Sequence, residues 1–274
     1  MSTAFLTLRQ MVGGMMGTGE VVVVTGTPAA TFDVNSFYCA ALSLDEDDFY
    51  NEWHGRFYSG THKGTNFEVT DSASGVITFS PSLSTAVDAT DLFELHRDYT
   101  PTEIGAKINM AIAMVEDEAL MEKVDETVTL TSTTYEYAIP SGFYTIYAIY
   151  QEETTDDLYH PVDDLIDPEF GWRLLRNGTT KKLWFDSNAV AFTTGRALRI
   201  CGQALASQLS LDADTTPINS AFLMQQAVAL LHQSRIVDKS SVSERHERQM
   251  TLAQSMADRL RGGLFVTQRG VRVG

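Results

Sequence analysis

Residues 99–124, YTPTEIGAKINMAIAMVEDEALMEKV, carry the clearest helical signal in the chain and separate two strand-rich regions. Thr100 stands as N-cap, Pro101 falls at the first helical position where its missing N–H costs nothing, and Glu103 completes a capping box. Ile104, Ile108, Ala111, Ile112, Val115 and Ala119 recur at spacings of three and four, while Glu103, Lys107, Asn109, Glu116 and Glu118 fall elsewhere on the wheel. One face is built to be buried. The predicted helix over 100–123 therefore needs a packing partner, and neither neighbouring strand region supplies one.

Partners appear more than a hundred residues later. A helix is expected to start at Thr216 as N-cap with Pro217 next, carrying Leu223, Met224, Ala227, Leu230 and Leu231 on one side. A second starts at Ser241, with Glu244 completing another capping box and Leu252, Ala253, Met256, Ala257 and Leu260 as its stripe. Three amphipathic helices at 100–123, 217–235 and 241–261 then bury their stripes together, and the strand regions become insertions between them.

The first strand region, 20–98, reads as short strands and turns: Phe67/Val69, Ile77/Phe79 and Phe93/Leu95 alternate with polar neighbours, and a loop at 71–75 ends in glycine. A small antiparallel barrel or sandwich follows. The second, 125–210, has Val128/Leu130, Tyr135/Tyr137/Ile139 and Trp172/Leu174 as alternating sets, and Asn177-Gly178 is its hairpin turn of type I′. Ahead of both lies 1–19, a short amphipathic helix over 4–16 followed by a Gly17-Thr18-Gly19 hinge, with no Lys-Ser/Thr to make those glycines a phosphate loop. The chain thus divides into 1–19, the β-module 20–98, the helix 99–124, the β-region 125–210, the helices 211–261 and an arm at 262–274. The fold class is α+β, a discontinuous helical bundle carrying two antiparallel β-rich regions.

Composition narrows the function. The 274 residues hold 36 acidic and 20 basic side chains, a formal net charge of −16, which argues against a protein that grips nucleic acid by neutralising phosphates. The end of the chain runs the other way, with eight Lys/Arg against four Asp/Glu from residue 235 onward, so a positive arm on an acidic body reads as either a docking element or a frayed terminus. Cys39 and Cys201 are expected to be reduced. No basic leader and no long apolar run is visible, so the chain is expected to be made in a cytoplasm and to stay soluble.

Catalytic and metal signals are sparse. The histidines at 54, 62, 96, 160, 232 and 246 contain no i, i+4 pair, no nucleophile elbow occurs, and neither cysteine sits in a nucleophile context. Asp45 to Asp48 form an acidic run without the glycine and terminal glutamate of a calcium loop. Asp163, Asp164, Asp167 and Glu169 cluster between Pro161 and Pro168, where a tight loop is able to converge oxygens on a divalent cation, although a solvated loop is the simpler reading. A carboxylate pair for glycoside hydrolysis is easy to imagine among so many acids. The expectation is no enzyme, no metal and no cofactor.

The order of elements resembles the adaptor (head-tail connector) proteins of tailed bacteriophages, including the tubular tail proteins of short-tailed phages. The residues that carry the likeness are Tyr-Thr-Pro-Thr-Glu-Ile at 99–104 with Ile-Asn-Met-Ala-Ile at 108–112, Leu-Arg-Ile-Cys-Gly at 198–202, Leu-Asp-Ala-Asp-Thr-Thr-Pro at 211–217 and Ala-Val-Ala-Leu-Leu at 227–231. Residues 64–95 also look like small barrel modules of phage tails. The resemblance implies a virion structural protein at the head-tail neck, a homo-oligomeric ring through which DNA passes without specific binding, with the portal protein and tail nozzle or tail terminator proteins as partners and no membrane. It implies that the arm docks in the portal, through Phe265, Val266, Arg269, Val271 and Arg272. The alternatives are another tail-completion or baseplate component, or a carbohydrate-active or receptor-binding β-protein.

Overall fold

The computed structural model describes residues 2–16, 23–29, 33–154, 158–160, 163–177, 180–236, 241–264 and 271–272. The fold is α+β, and the chain divides into two compact units: 1–114 with 207–264, and 115–206 with 265–274.

The first unit opens with β1 (Thr3–Ala4) and α1 (Phe5–Met15), followed by β2 (Val23–Gly26), β3 (Ser36–Tyr38), β4 (His54–Phe57), β5 (Asn66–Ala73), β6 (Val76–Ser80) and β7 (Phe93–His96). The six strands from β2 to β7 make one antiparallel sheet in the order β2-β7-β4-β5-β6-β3. Phe37 on β3 lies four strands from Phe93 on β7, about 19 Å across a flat sheet, yet their ring centroids are 4.6 Å apart. The sheet is therefore curled into a half-barrel around Phe37, Phe57, Phe67, Phe79 and Phe93, all buried. Alternation of apolar and polar residues along β5 and β6 puts Phe67 and Phe79 inside.

Next comes α2 (Pro101–Ala113), whose Thr100/Glu103 capping box forms as the sequence predicts. The helix stops ten residues short of 123. Glu116, Asp117 and Glu118 would place three carboxylates at its negative end, where the macrodipole opposes them, and from residue 121 a strand takes over. Val115 and Ala119 are buried all the same, in a turn in which the N–H groups of Glu118 and Ala119 both donate to Val115 O.

The second unit contains β8 (Met121–Thr129), β9 (Glu136–Ala138), β10 (Thr145–Gln151), β11 (Trp172–Asn177), β12 (Thr180–Phe185) and β13 (Ala197–Ala204). Strands β10, β13 and β8 are consecutive in one antiparallel sheet, and β11, β12 and β9 form another. Ile146, Ile149, Leu198 and Ile200 of the first share a core with Trp172, Leu183 and Phe185 of the second. The β11–β12 hairpin is present, but Asn177 pairs with Thr180. The two loop residues are thus 178 and 179, one position later than expected, and they lie outside the described residues.

The chain re-enters the first unit at Ser207. Asn109 on α2 fastens the returning segment, donating to Leu209 O and accepting from Leu209 N, both at 2.8 Å. Then β14 (Thr215–Thr216) pairs with β1. Because Thr216 is committed to that pairing, the following helix α3 (Ser220–Ser234) starts three residues later than Thr216-Pro217 suggests, with Asn219 as its cap accepting from Ala221 N and Phe222 N. Last come α4 (Ser241–Arg261) and, in the second unit, β15 (Val271–Arg272), which extends the sheet of β8, β13 and β10.

The bundle expected from three helices is made by four, since α1 packs on both α2 and α3. The buried face of α4 is narrower than predicted: Ala253 and Ala257 are buried, whereas Leu252 and Met256 are 53% and 41% exposed. Small residues bring α4 close to α3, and Gln226 and Gln254 exchange side-chain hydrogen bonds across the contact.

Candidate functional site

In the second unit, β13 turns Leu198 and Ile200 into the core, so strand alternation sends Arg199 and Cys201 to the other face. Arg199 bonds the Glu126 carboxylate through Nε, and its guanidinium lies 3.9 Å from the centroid of the Tyr159 ring. Val124, Glu126, Tyr150, Tyr159, Arg199 and Cys201 line a groove of about 460 Å³. Beside it, Tyr147 donates to Glu122 at 2.6 Å, and burial together with this carboxylate pushes the phenol upward. Burial is also the main reason the Cys201 thiol is pushed up, with Glu122 and Glu126 adding to it and Arg199 opposing. A thiolate is disfavoured there, so the groove suits binding better than nucleophilic chemistry.

The outer edge of β10 is covered twice. At its start, Ile146 pairs with Val271 and Thr145 with Arg272. At its end, Gln151 N donates to Asp164 O and Ile166 N to Ile149 O, with a bridge between Tyr150 and Leu165. Of the five proposed docking residues, Val271 and Arg272 therefore sit on a sheet edge, and Phe265, Val266 and Arg269 lie outside the described residues. The arm at 262–274 also begins later than predicted: Leu264 is buried in the first unit, held by a turn from Arg261.

The first unit contains a buried charge network. Arg9 on α1 donates through Nε to Glu94 on β7 at 2.7 Å, and its Nη2 lies 2.8 Å from Asp212 Oδ1 at an angle too poor for a hydrogen bond. His96 lies 3.5 Å from Glu94. Burial alone would raise the Glu94 carboxyl, but His96 and Arg9 outweigh it and hold it below the usual range. A separate polar hollow of about 530 Å³ is lined by residues including Phe49, Glu52, His54, Glu68, Asp98 and Arg235. Glu52 there has a φ of 68°, uncommon for a side chain of this kind.

The sequence reading missed Arg199, Tyr159 and Glu126 as a group, and it missed the hollow. One signal was available for Arg199: a cation inside an otherwise apolar central strand has to find a partner. The acids at 163–169 do not converge as a set. Among the described residues only Asp164 of these joins a compact group of metal-ligating side chains, and its companions are Glu153 and His160. Cys39 and Cys201 are both free thiols.

No protein-family model matches this sequence, and no curated protein matches it significantly. Among the described residues no helix is long and apolar enough to cross a membrane.

Proposed function

We propose that this chain is a structural protein of a tailed-bacteriophage virion that forms the adaptor ring between portal and tail and acts as a conduit for DNA. The observation that carries the reading is the discontinuous bundle: α2 and α3, which hold the segments 101–112 and 227–231 of the resemblance and are separated in sequence by a β-unit of their own chain, pack together, and α4 packs on α3. Exposed Met110 on α2, Met114 at its C-cap, and Leu252 and Met256 on α4 offer apolar surface for neighbouring protomers. A net charge of −16 suits a conduit, because acidic walls repel phosphates where basic ones would hold them. In this reading the protein is non-enzymatic, works in the virion neck, and contacts portal and tail nozzle or terminator proteins. Mixing the purified protein with portal rings and imaging the product by electron microscopy tests it. A ring added to the portal supports the proposal; no addition under any salt condition overturns it.

A receptor- or carbohydrate-binding role is the second reading, favoured by the hollow in which Glu52, Glu68 and Phe49 meet and by the unusual backbone of Glu52. Glycan-array screening separates the two: retention that is lost in Glu52→Gln supports the second reading, and a blank array removes it.

A further inference from the structure

We propose that Glu153, His160 and Asp164 form a binding site for a divalent cation of borderline softness, Zn²⁺ ahead of Ca²⁺ or Mg²⁺. One ligand atom from each lies within 4.8 Å of the other two, and His160 Nε2 is 3.3 Å from Glu153 Oε2. With metal–ligand bonds of about 2.0–2.2 Å, the edges of a tetrahedral site are about 3.4 Å long, so one edge is already at that length. The imidazole separates this trio from the purely acidic runs of the chain: one nitrogen and two carboxylate oxygens are a Zn²⁺ or Mn²⁺ set, whereas Ca²⁺ and Mg²⁺ prefer oxygens alone. Two carboxylates carry two negative charges for a dication to balance, while the exposed His–Glu contact by itself contributes little.

The backbone places the donors before any ion arrives. Glu152 N donates to Ala197 O and the Glu152 carboxylate accepts from Ala197 N, which fixes the residue preceding Glu153. Asp164 lies along β10 opposite Gln151, and His160 N donates to its carboxylate. Three protein ligands leave a fourth position open for water or for a group from another molecule. The site has a structural consequence as well. His160 follows Tyr159, whose ring lies against the Arg199 guanidinium and lines the groove, so an ion on His160 fixes that wall.

Calorimetric titration of the metal-free full-length protein tests this. The expected result is one saturable Zn²⁺ site, with Ca²⁺ and Mg²⁺ at least tenfold weaker. His160→Ala and Asp164→Asn should each weaken Zn²⁺ at least tenfold, and His232→Gln, far along the sequence on α3, should leave it unchanged. Zn²⁺ should also slow amide exchange at 158–166 in the parent and not in His160→Ala. His160 is 54% exposed, so its replacement leaves the fold intact, which circular dichroism verifies. No saturable Zn²⁺ heat, or equal affinity in His160→Ala, overturns the proposal.

Discussion

His232 on α3 and His246 on α4 face each other with their Nδ1 atoms 2.9 Å apart, so one ring donates and the other accepts, and the pair is sound only while at least one of them is neutral. Burial, then His246 and Arg245, push His232 down to about 4. His246 is also lowered, by burial, Arg245 and Arg235, with Asp98 opposing.

The sign of the pH dependence follows. An unfolded histidine takes up its proton near pH 6.5, whereas His232 in the fold does not until about pH 4, so stability falls as pH drops through that window and levels off below it. The loss should be about 1–3 kcal/mol after allowance for relaxation around the charge. Urea denaturation at pH 7 and pH 5 measures the greater part of it, and His232→Gln should shrink the difference, leaving the share of His246. The Glu94 carboxyl, held below the usual range of about 4.5, loses its contribution only below that value and so does not enter the comparison of pH 7 with pH 5, to which the lowered His246 adds in the same direction as His232. Equal slopes in parent and variant would contradict the assignment.

The Arg9–Glu94–Asp212 network makes a second prediction. Arg9 is 2% exposed and Glu94 fully buried, so Arg9→Met leaves Glu94 with His96 alone and Asp212 with Arg56 at 3.9 Å, and should cost about 3–5 kcal/mol. Glu94→Gln keeps a neutral acceptor for Arg9 and should cost less, about 1–2 kcal/mol. Urea midpoints order the two variants, and an Arg9→Met protein within about 1 kcal/mol of the parent would show that the network contributes little.

The bundle was legible because it follows local rules: the capping box at Thr100 and Glu103, and the stripe of Ile104, Ile108 and Ile112, need nothing beyond helical spacing. What escaped depends on distant partners. The α2 terminus is decided by charge at its last turn and by a strand pairing with β13, the α3 start by Thr216 pairing with Thr3, and the exposure of Leu252 by how closely two alanines let α4 approach α3. Arg199 and Tyr159 are forty residues apart, and the six-histidine search for i, i+4 spacing was blind to His232 and His246 because they meet across two helices. The Glu153–His160–Asp164 trio likewise forms only because the segment at 164–166 returns along β10.

A third prediction concerns Gly60, whose φ is +75° and whose added Cβ would fall 2.2 Å from Asp91 Oδ1 and 2.7 Å from the Asp91 backbone. Asp91 has no room to retreat: it is fully buried and accepts from His62 N and Asp88 N. Gly60→Ala therefore combines left-handed strain with a collision and should cost more than about 2 kcal/mol. Gly195→Ala is the matched control, because Gly195 has a φ of +88° with open space around it and should show only the backbone cost, about 1–2 kcal/mol. Equal thermal shifts for the two alanines would remove the collision from the account.

The proposed portal docking is tested by truncation, and the structure decides where to cut. Removing all of 262–274 deletes Leu264, which is buried in the first unit, so a loss of docking would be confounded with a loss of packing. Cutting after Leu264 removes Phe265, Val266, Arg269, Val271 and Arg272 while sparing that contact. Within the described residues the fold gives up only the two-residue pairing of β15 with β10, at about 1 kcal/mol per backbone hydrogen bond. The shortened chain should thus keep its circular dichroism and nearly all of its urea midpoint, yet fail to join portal rings in electron micrographs. Arg269→Glu with Arg272→Glu in the full-length chain should weaken docking in a salt-dependent way if charge steers the arm. A truncated protein that still adds to the portal at the parent's yield would refute the arm assignment and move the contact to the exposed faces of α2 and α4.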